Sequence, residues 1–180
     1  MIENNEPFSD RDRFYYGNEL YYNQLYEEAI KEYITFIKSE RGWIEDRKTA
    51  TLRLIDCYSL TDKNEKNIDI ILGSFKWCKP DAQVCCRLAE YFINKNQYKD
   101  AIFWYKVAFM CIPDKDNRGI SAKEYYTWIP AIQLCVCYSH IGEYEAANYY
   151  NDLAGNFQPE SPKVAHNREF LKGKLDKKLN

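Results

Sequence analysis

At 180 residues the chain has room for one well-buried domain, or for about five helical units of roughly 34 residues each. Its 25 Lys+Arg against 27 Asp+Glu leave a net charge of −2, which provides no positive field to collect phosphate backbones, so nucleic acid is not an expected partner. No stretch reaches the roughly 18–20 apolar residues of a membrane span, and MIENNEPFSDRDR at the start is polar and acidic without the apolar core of a signal peptide, so the expectation is a cytoplasmic chain with no membrane partner.

Ser9 followed by Asp12 reads as a capping box, with Phe8 placed as a hydrophobic staple, and predicts a first helix running to about Asn23. Tyr16, Gly17 and Leu20 are its expected packing positions. Tyr26, Ala29, Tyr33 and Phe36 form the same series on a second helix. Glycine costs a helix interior up to about 1 kcal/mol against alanine, which makes sense at Gly17 if another helix must come close. Arg41-Gly42-Trp43 breaks the pattern, and a second unit starts near Glu45 with Leu54, Ile55 and Tyr58, then Ile68, Ile71 and Phe75, stopping at Lys79-Pro80. Asn67 stands where a small residue is wanted, so this pair is expected to be the least regular.

The third unit is the most legible. Cys85, Leu88, Ala89 and Phe92 line one helical face, the polar run Asn94–Gln97 stops it, and Tyr98, Ala101, Tyr105, Ala108 and Phe109 line the next, closed by Pro113. A polar stretch, DKDNRGI, follows over residues 114–120. Ser121 with Glu124 reads as another capping box, from which Tyr125, Tyr126 and Trp128 are expected to point outward as a partner interface. Pro130 either kinks a long helix or sits in the first turn of a new one, and a short helix with a restart at Pro130 is preferred. Leu134, Cys135, Tyr138, Gly142, Tyr144, Ala147 and Ala154 continue the fourth unit to Pro159. Ser161-Pro162 starts a last helix, about 163–175, with Val164, Phe170, Leu171 and Leu175 inward and a basic outer side ending in Lys177-Lys178.

The intervals, with small residues at Ala89 and Ala101 where two antiparallel helices approach, are those of the tetratricopeptide repeat. The expected fold is therefore all-α, a single domain over 1–180 forming a tetratricopeptide solenoid. Its repeats would span about 9–41, 44–80, 81–113 and 121–159, with a capping helix at about 161–176. The seven cysteines (Cys57, Cys78, Cys85, Cys86, Cys111, Cys135, Cys137) lie inside apolar patterns without a CxxC pair and read as reduced core residues. His140 and His166 have no ligand-spaced partner, so neither metal nor cofactor is expected.

FSDRDRFYYGNEL, RGWIEDRKTATLRLIDCYSL, NKNQYKDAIFWYKVAF, YYTWIPAIQLCVCY and VAHNREFLKGKL, in that order, resemble the tetratricopeptide extension at the C-terminal end of some bacterial family 2 glycosyltransferases. The resemblance covers about 170 residues and implies a non-catalytic scaffold whose catalytic domain is absent here. The strings Asp10-Arg11-Asp12 and Asp114-Lys115-Asp116 follow no apolar strand run. They do not read as the metal-holding DxD of such an enzyme, and no phosphate loop or nucleophile motif is present. No catalysis is expected of this chain alone.

A groove lined by first-helix residues suits an extended or helical peptide. Projected onto the sequence, it holds Asn18, Tyr22, Asp56, Arg87, Glu90, Asn94, Gln133 and His140. The expected function is acceptor-protein binding or self-association on behalf of a glycosyltransferase, with a possible homodimer. The alternative is a stand-alone adaptor or chaperone-like module that recognises a peptide tail.

Overall fold

The computed structural model of the protein describes residues 8–113 and 123–178, with side chains to 176. Outside the described residues lie the 114–120 stretch with its Asp114-Lys115-Asp116 string, the Ser121 half of the second capping box, and the side chains of Lys177 and Lys178. Among the described residues all regular structure is helical, with no strand, and no helix is long and apolar enough to cross a membrane. The chain divides into two compact units, Met1–Lys79 and Pro80–Asn180, so the break falls at the Lys79-Pro80 stop signal.

The first unit contains α1 (Asp10–Tyr22), α2 (Tyr26–Lys38), α3 (Ile44–Leu60), a 3-10 turn (Asn64–Lys66) and α4 (Asn67–Ser74). The capping box forms at α1: Ser9 Oγ accepts from the Asp12 N–H at 3.2 Å, and Asp12 Oδ2 accepts from the Ser9 N–H at 3.2 Å. Gly17 is where α1 and α2 touch. A Cβ there would sit 2.9 Å from Cε1 of Tyr33, so only glycine admits that ring at this depth. Phe14, Leu20, Ala29, Tyr33, Phe36, Ala50, Leu54, Cys57 and Tyr58 close into one core. Tyr16, expected inward, is exposed and lies against Phe8 at 5.5 Å. The buried stripe instead runs Phe14–Gly17–Leu20, and at about 100° per residue Tyr16 falls off it. The α4 helix is the shortest of the described α-helices at eight residues. Buried Asn67 donates to Ser59 Oγ at 3.2 Å, and the Arg47 guanidinium covers the Trp77 ring at 4.2 Å beyond the end of α4.

The second unit contains α5 (Ala82–Asn94), α6 (Tyr98–Met110), a 3-10 turn (Lys123–Tyr126), α7 (Trp128–His140), α8 (Tyr144–Phe157) and α9 (Pro162–Lys178). Asp81 caps α5 by accepting from the Val84 N–H at 2.9 Å. Ala89, Ala101, Tyr105 and Ala108 are wholly buried, as expected. A separate short 3-10 turn precedes α7, which restarts at Trp128, two residues before Pro130; the proline therefore occupies the first turn, where a missing N–H costs nothing. On α9, Val164 and Leu171 are buried. Phe170 is a correction: it is exposed, one position off that stripe, with the Lys174 ammonium 5.4 Å from its ring centre.

Four helix-to-helix turns are built alike. The N–H of Leu25 donates to Leu20 O at 2.9 Å, Lys63 to Tyr58 O at 2.7 Å, Gln97 to Phe92 O at 2.9 Å and Glu143 to Tyr138 O at 3.0 Å. Each is the six-to-one bond of a Schellman cap. The residue before each donor is left-handed: Gln24 (φ 62°), Asp62 (57°), Asn96 (58°) and Gly142 (80°).

Candidate functional site

Of the residues projected onto a groove, Asn18, Tyr22 and Asp56 belong to the first unit and Arg87, Glu90, Asn94, Gln133 and His140 to the second. In the first unit Asn18 is corrected from a surface position to a buried one, 9 % exposed, because its amide oxygen accepts the Tyr33 hydroxyl at 2.9 Å. Tyr22 is exposed, and its hydroxyl accepts from Arg53 Nη2 at 2.7 Å while the same guanidinium stands 4.9 Å from the Tyr22 ring centre and 5.6 Å from that of Tyr21. Asp56 is half-buried on α3.

In the second unit Arg87 Nη1 donates to Glu90 Oε2 at 3.0 Å along α5, so two groove residues meet each other, and Asn94 is exposed at the end of that helix. His140 stacks flat on Tyr98, centroids 4.2 Å apart and planes 7° from parallel. Tyr125, Tyr126 and Trp128 do not point outward. All three are half-buried, the two tyrosines against the core around Tyr105 and the tryptophan against Ala131, Ile132, Ala154 and Val164. Large aromatic side chains carry enough area that a neighbouring core recruits them even where the sequence around them is polar.

Gln133 lies in a groove of about 430 Å³ between α7 and α9. Ile132 and Val136 give it an apolar floor, and Pro162, Lys163, His166 and Asn167 form the facing wall. That volume falls in the range of roughly 300–1,000 Å³ typical of ligand clefts. The wall is held firmly. Asn151, wholly buried on α8, donates through Nδ2 to the Val164 carbonyl at 3.1 Å, Leu171 packs on Cys135 and Ala147, and Gly155 leaves room for Val164, whose Cγ1 would be 3.2 Å from a Cβ there. The sequence presents Pro162 as a helix start, His166 as a histidine without a ligand-spaced partner and the outer side of α9 as basic, and none of these readings places them on a groove wall. The signal available was Gln133 and Val136, one helical turn apart on a face of α7 that its core residues leave open.

Among the described residues no three His, Cys, Asp or Glu side chains gather to hold a metal ion. No disulfide joins any of the seven cysteines, all of which lie among the described residues. Burial pushes the thiols of Cys57, Cys135 and Cys137 up to about 12, 11 and 12, and raises Cys85 and Cys86 further, so none of these is a ready thiolate near neutral pH. Scans of the chain against models of known protein families and against curated proteins return no match.

Proposed function

We propose that the chain is a non-catalytic module of tetratricopeptide-type helix pairs that binds a peptide segment of a partner protein in the α7–α9 groove. The observation that carries this reading is the groove itself: a fixed apolar floor with amide and basic groups on its edges, open to solvent and of ligand size. An apolar anchor residue of a peptide would fill the floor over Ile132 and Val136, while the Gln133 and Asn167 amides offer both donors and acceptors to a peptide backbone. The tetratricopeptide assignment is supported by the interval from Gly17 to Ala29, which recurs from Ala89 to Ala101 and from Cys135 to Ala147, with all six residues buried. By the resemblance given above, the partner class we propose is the acceptor protein, or another domain, of a family 2 glycosyltransferase that this chain serves as a scaffold.

The experiment is selection of peptides from a displayed random library on the purified chain, followed by titration of the selected peptides against Val136→Asp. Val136 is half-buried on the floor, so a carboxylate there removes the apolar contact. The expected result is a loss of roughly tenfold or more in affinity, about 1.4 kcal/mol, with an unchanged helical spectrum. Peptides that bind the variant and the parent alike would remove the groove from the argument.

A further inference from the structure

A second concavity, in the first unit, has different chemistry. Between the start of α1 and the start of α3 lies a pocket of about 400 Å³ lined by Arg11, Tyr15, Phe36, Gly42, Trp43 and Asp46. Phe36 is its buried floor. Gly42 keeps the mouth open, since at φ 92° and with the Phe36 ring 2.9 Å from the place of a Cβ, no other residue fits without strain. Two large rings flank the opening and stay in water: Trp43 is 54 % exposed and Tyr15 49 % exposed. Trp43 is also the N-cap position of α3 yet makes no side-chain cap hydrogen bond, so the end of the helix does not explain why an indole stands there.

We propose that this pocket binds a neutral pyranose ring, as a free or protein-linked glycan, stacked against Trp43 and Tyr15. The inference stands apart from the peptide groove, which lies in the other unit. Charge selects the ligand class. Arg11 and Asp46 are opposite charges that attract across the pocket, and the Glu45 and Asp12 carboxylates act on the pair as well, so the site has no positive field to favour a phosphate, a sulfate or a carboxylate. A quaternary ammonium is disfavoured as well, because the Arg11 guanidinium, 5.6 Å from the centre of the Tyr15 ring, would repel a second positive charge there. What remains is a set of strong donors on the Arg11 guanidinium and strong acceptors on the Asp46 carboxylate, with Tyr15 also lining the pocket.

Adjacent hydroxyls of a sugar both donate and accept, and fit such a pair. The C–H-rich face of the same ring is weakly positive and packs on an aromatic face. Burial holds the Asp46 carboxyl above its ordinary value while Arg11 pulls it the other way, which marks an acceptor partly withdrawn from water. A proline-rich segment would also stack on exposed rings, but it carries no donor for that carboxylate and would leave it stranded.

The test uses the purified chain labelled with 15N. The indole N–H signal of Trp43, assigned by its disappearance in Trp43→Phe, is followed during titration with methyl glycosides of glucose, galactose and N-acetylglucosamine and with chitotriose and maltotriose. The same titration is run with octaproline and with adenosine. The expected result is a saturable shift with at least one glycoside, with a Kd of about 1–10 mM for a single ring. Asp46→Asn should weaken it by roughly tenfold, and in Trp43→Ala no sugar resonance should receive saturation from the protein. Both side chains sit at or near the surface, and neither variant should alter the helical spectrum. The proposal is overturned if no glycoside shifts the signal, if octaproline or adenosine shifts it instead, or if glycoside binding persists unchanged in Trp43→Ala. It is equally overturned if sedimentation shows a dimer that Trp43→Ala dissociates, because the rings would then be covered by a second copy. Failure of the peptide selection above would leave these outcomes untouched.

Discussion

Tyr33 and Tyr105 occupy the same place in their helix pairs, one turn after the small residues Ala29 and Ala101, and both rings are wholly buried. Their hydroxyls meet different fates. Tyr33 donates to Asn18 at 2.9 Å, whereas the Tyr105 hydroxyl is buried with no hydrogen-bond partner among the described residues, and the Glu90 carboxylate near it is engaged by Arg87 at 3.0 Å. Removing the hydroxyl should therefore have opposite signs at the two sites. Tyr33→Phe deletes a bond and strands a buried amide oxygen, at a cost of about 1–3 kcal/mol. Tyr105→Phe deletes a group that is desolvated without compensation, and should be neutral or stabilise by up to about 1–2 kcal/mol. The assay is urea unfolding followed by circular dichroism, read as a change in midpoint at constant slope. Asn18→Leu combined with Tyr33→Phe replaces both partners by apolar groups and should recover most of the loss, which a double-mutant cycle reads as coupling. If Tyr105→Phe proved as costly as Tyr33→Phe, Tyr105 would have a partner and the comparison would fail.

Gln24→Gly relieves a left-handed non-glycine residue at φ 62° and should stabilise by a few tenths to about 1 kcal/mol, a rise of a few degrees in Tm by calorimetry; a lower Tm would mean that the Gln24 side chain makes a contact worth more than the strain. Ala101→Arg places a charge and a long side chain at a wholly buried helix contact and should cost several kcal/mol, enough to abolish the cooperative melt; an unchanged melt would contradict the close approach of α5 and α6. Stability should also fall in alkali. Burial lifts the Cys57, Cys135 and Cys137 thiols from 9.0 to about 12, 11 and 12, so above pH 9 the unfolded chain loses protons that the folded chain keeps. Their contribution is complete below pH 9 and is lost progressively as pH rises towards 12; Tm measured from pH 8 to 10.5 should decline, and a flat profile would count against buried neutral thiols.

Where a residue acts locally, its sequence announces it. Ser9 and Asp12 sit close enough along the chain to form their box whatever else happens, Pro162 can begin a helix but hardly continue one, and Gly17 and Ala101 are too small for any role but close contact. Asn18 was misplaced because polarity argues for the surface, and only the hydroxyl of Tyr33, brought in from α2, makes its burial tolerable. Trp128 was misplaced for the converse reason. Its position just after a polar stretch suggested an outward ring, while Val164 of α9, far along the chain, supplies the surface that covers it. The α7–α9 groove was half legible for the same cause: α8 intervenes between its walls, so no local pattern joins Gln133 to His166.

The left-handed turn residues were the least legible of all, and they also explain what defines a unit. Gly142 has the residue type that the conformation favours and Asn96 and Asp62 types that it tolerates, whereas Gln24 adopts it against a steric cost of about 1–2 kcal/mol. All four adopt it because each stands between two helices whose apolar faces must meet, and the six-to-one backbone bond that closes the turn is available to any side chain. The recurring element is thus a backbone bond pinned by packing on both sides, with Leu20, Tyr58, Phe92 and Tyr138, three residue types, supplying the backbone carbonyl. The α3–α4 pair tests this view. It keeps the turn bond, at 2.7 Å from Lys63 to Tyr58, yet its second helix begins with buried Asn67 in place of a small apolar residue and lasts eight residues, after a 3-10 start. Turn geometry therefore survives where helix contact is poorest: the turn bond determines that the helices reverse, and it is the second helix alone that is cut short where the small residue is missing, since α3 runs for 17 residues.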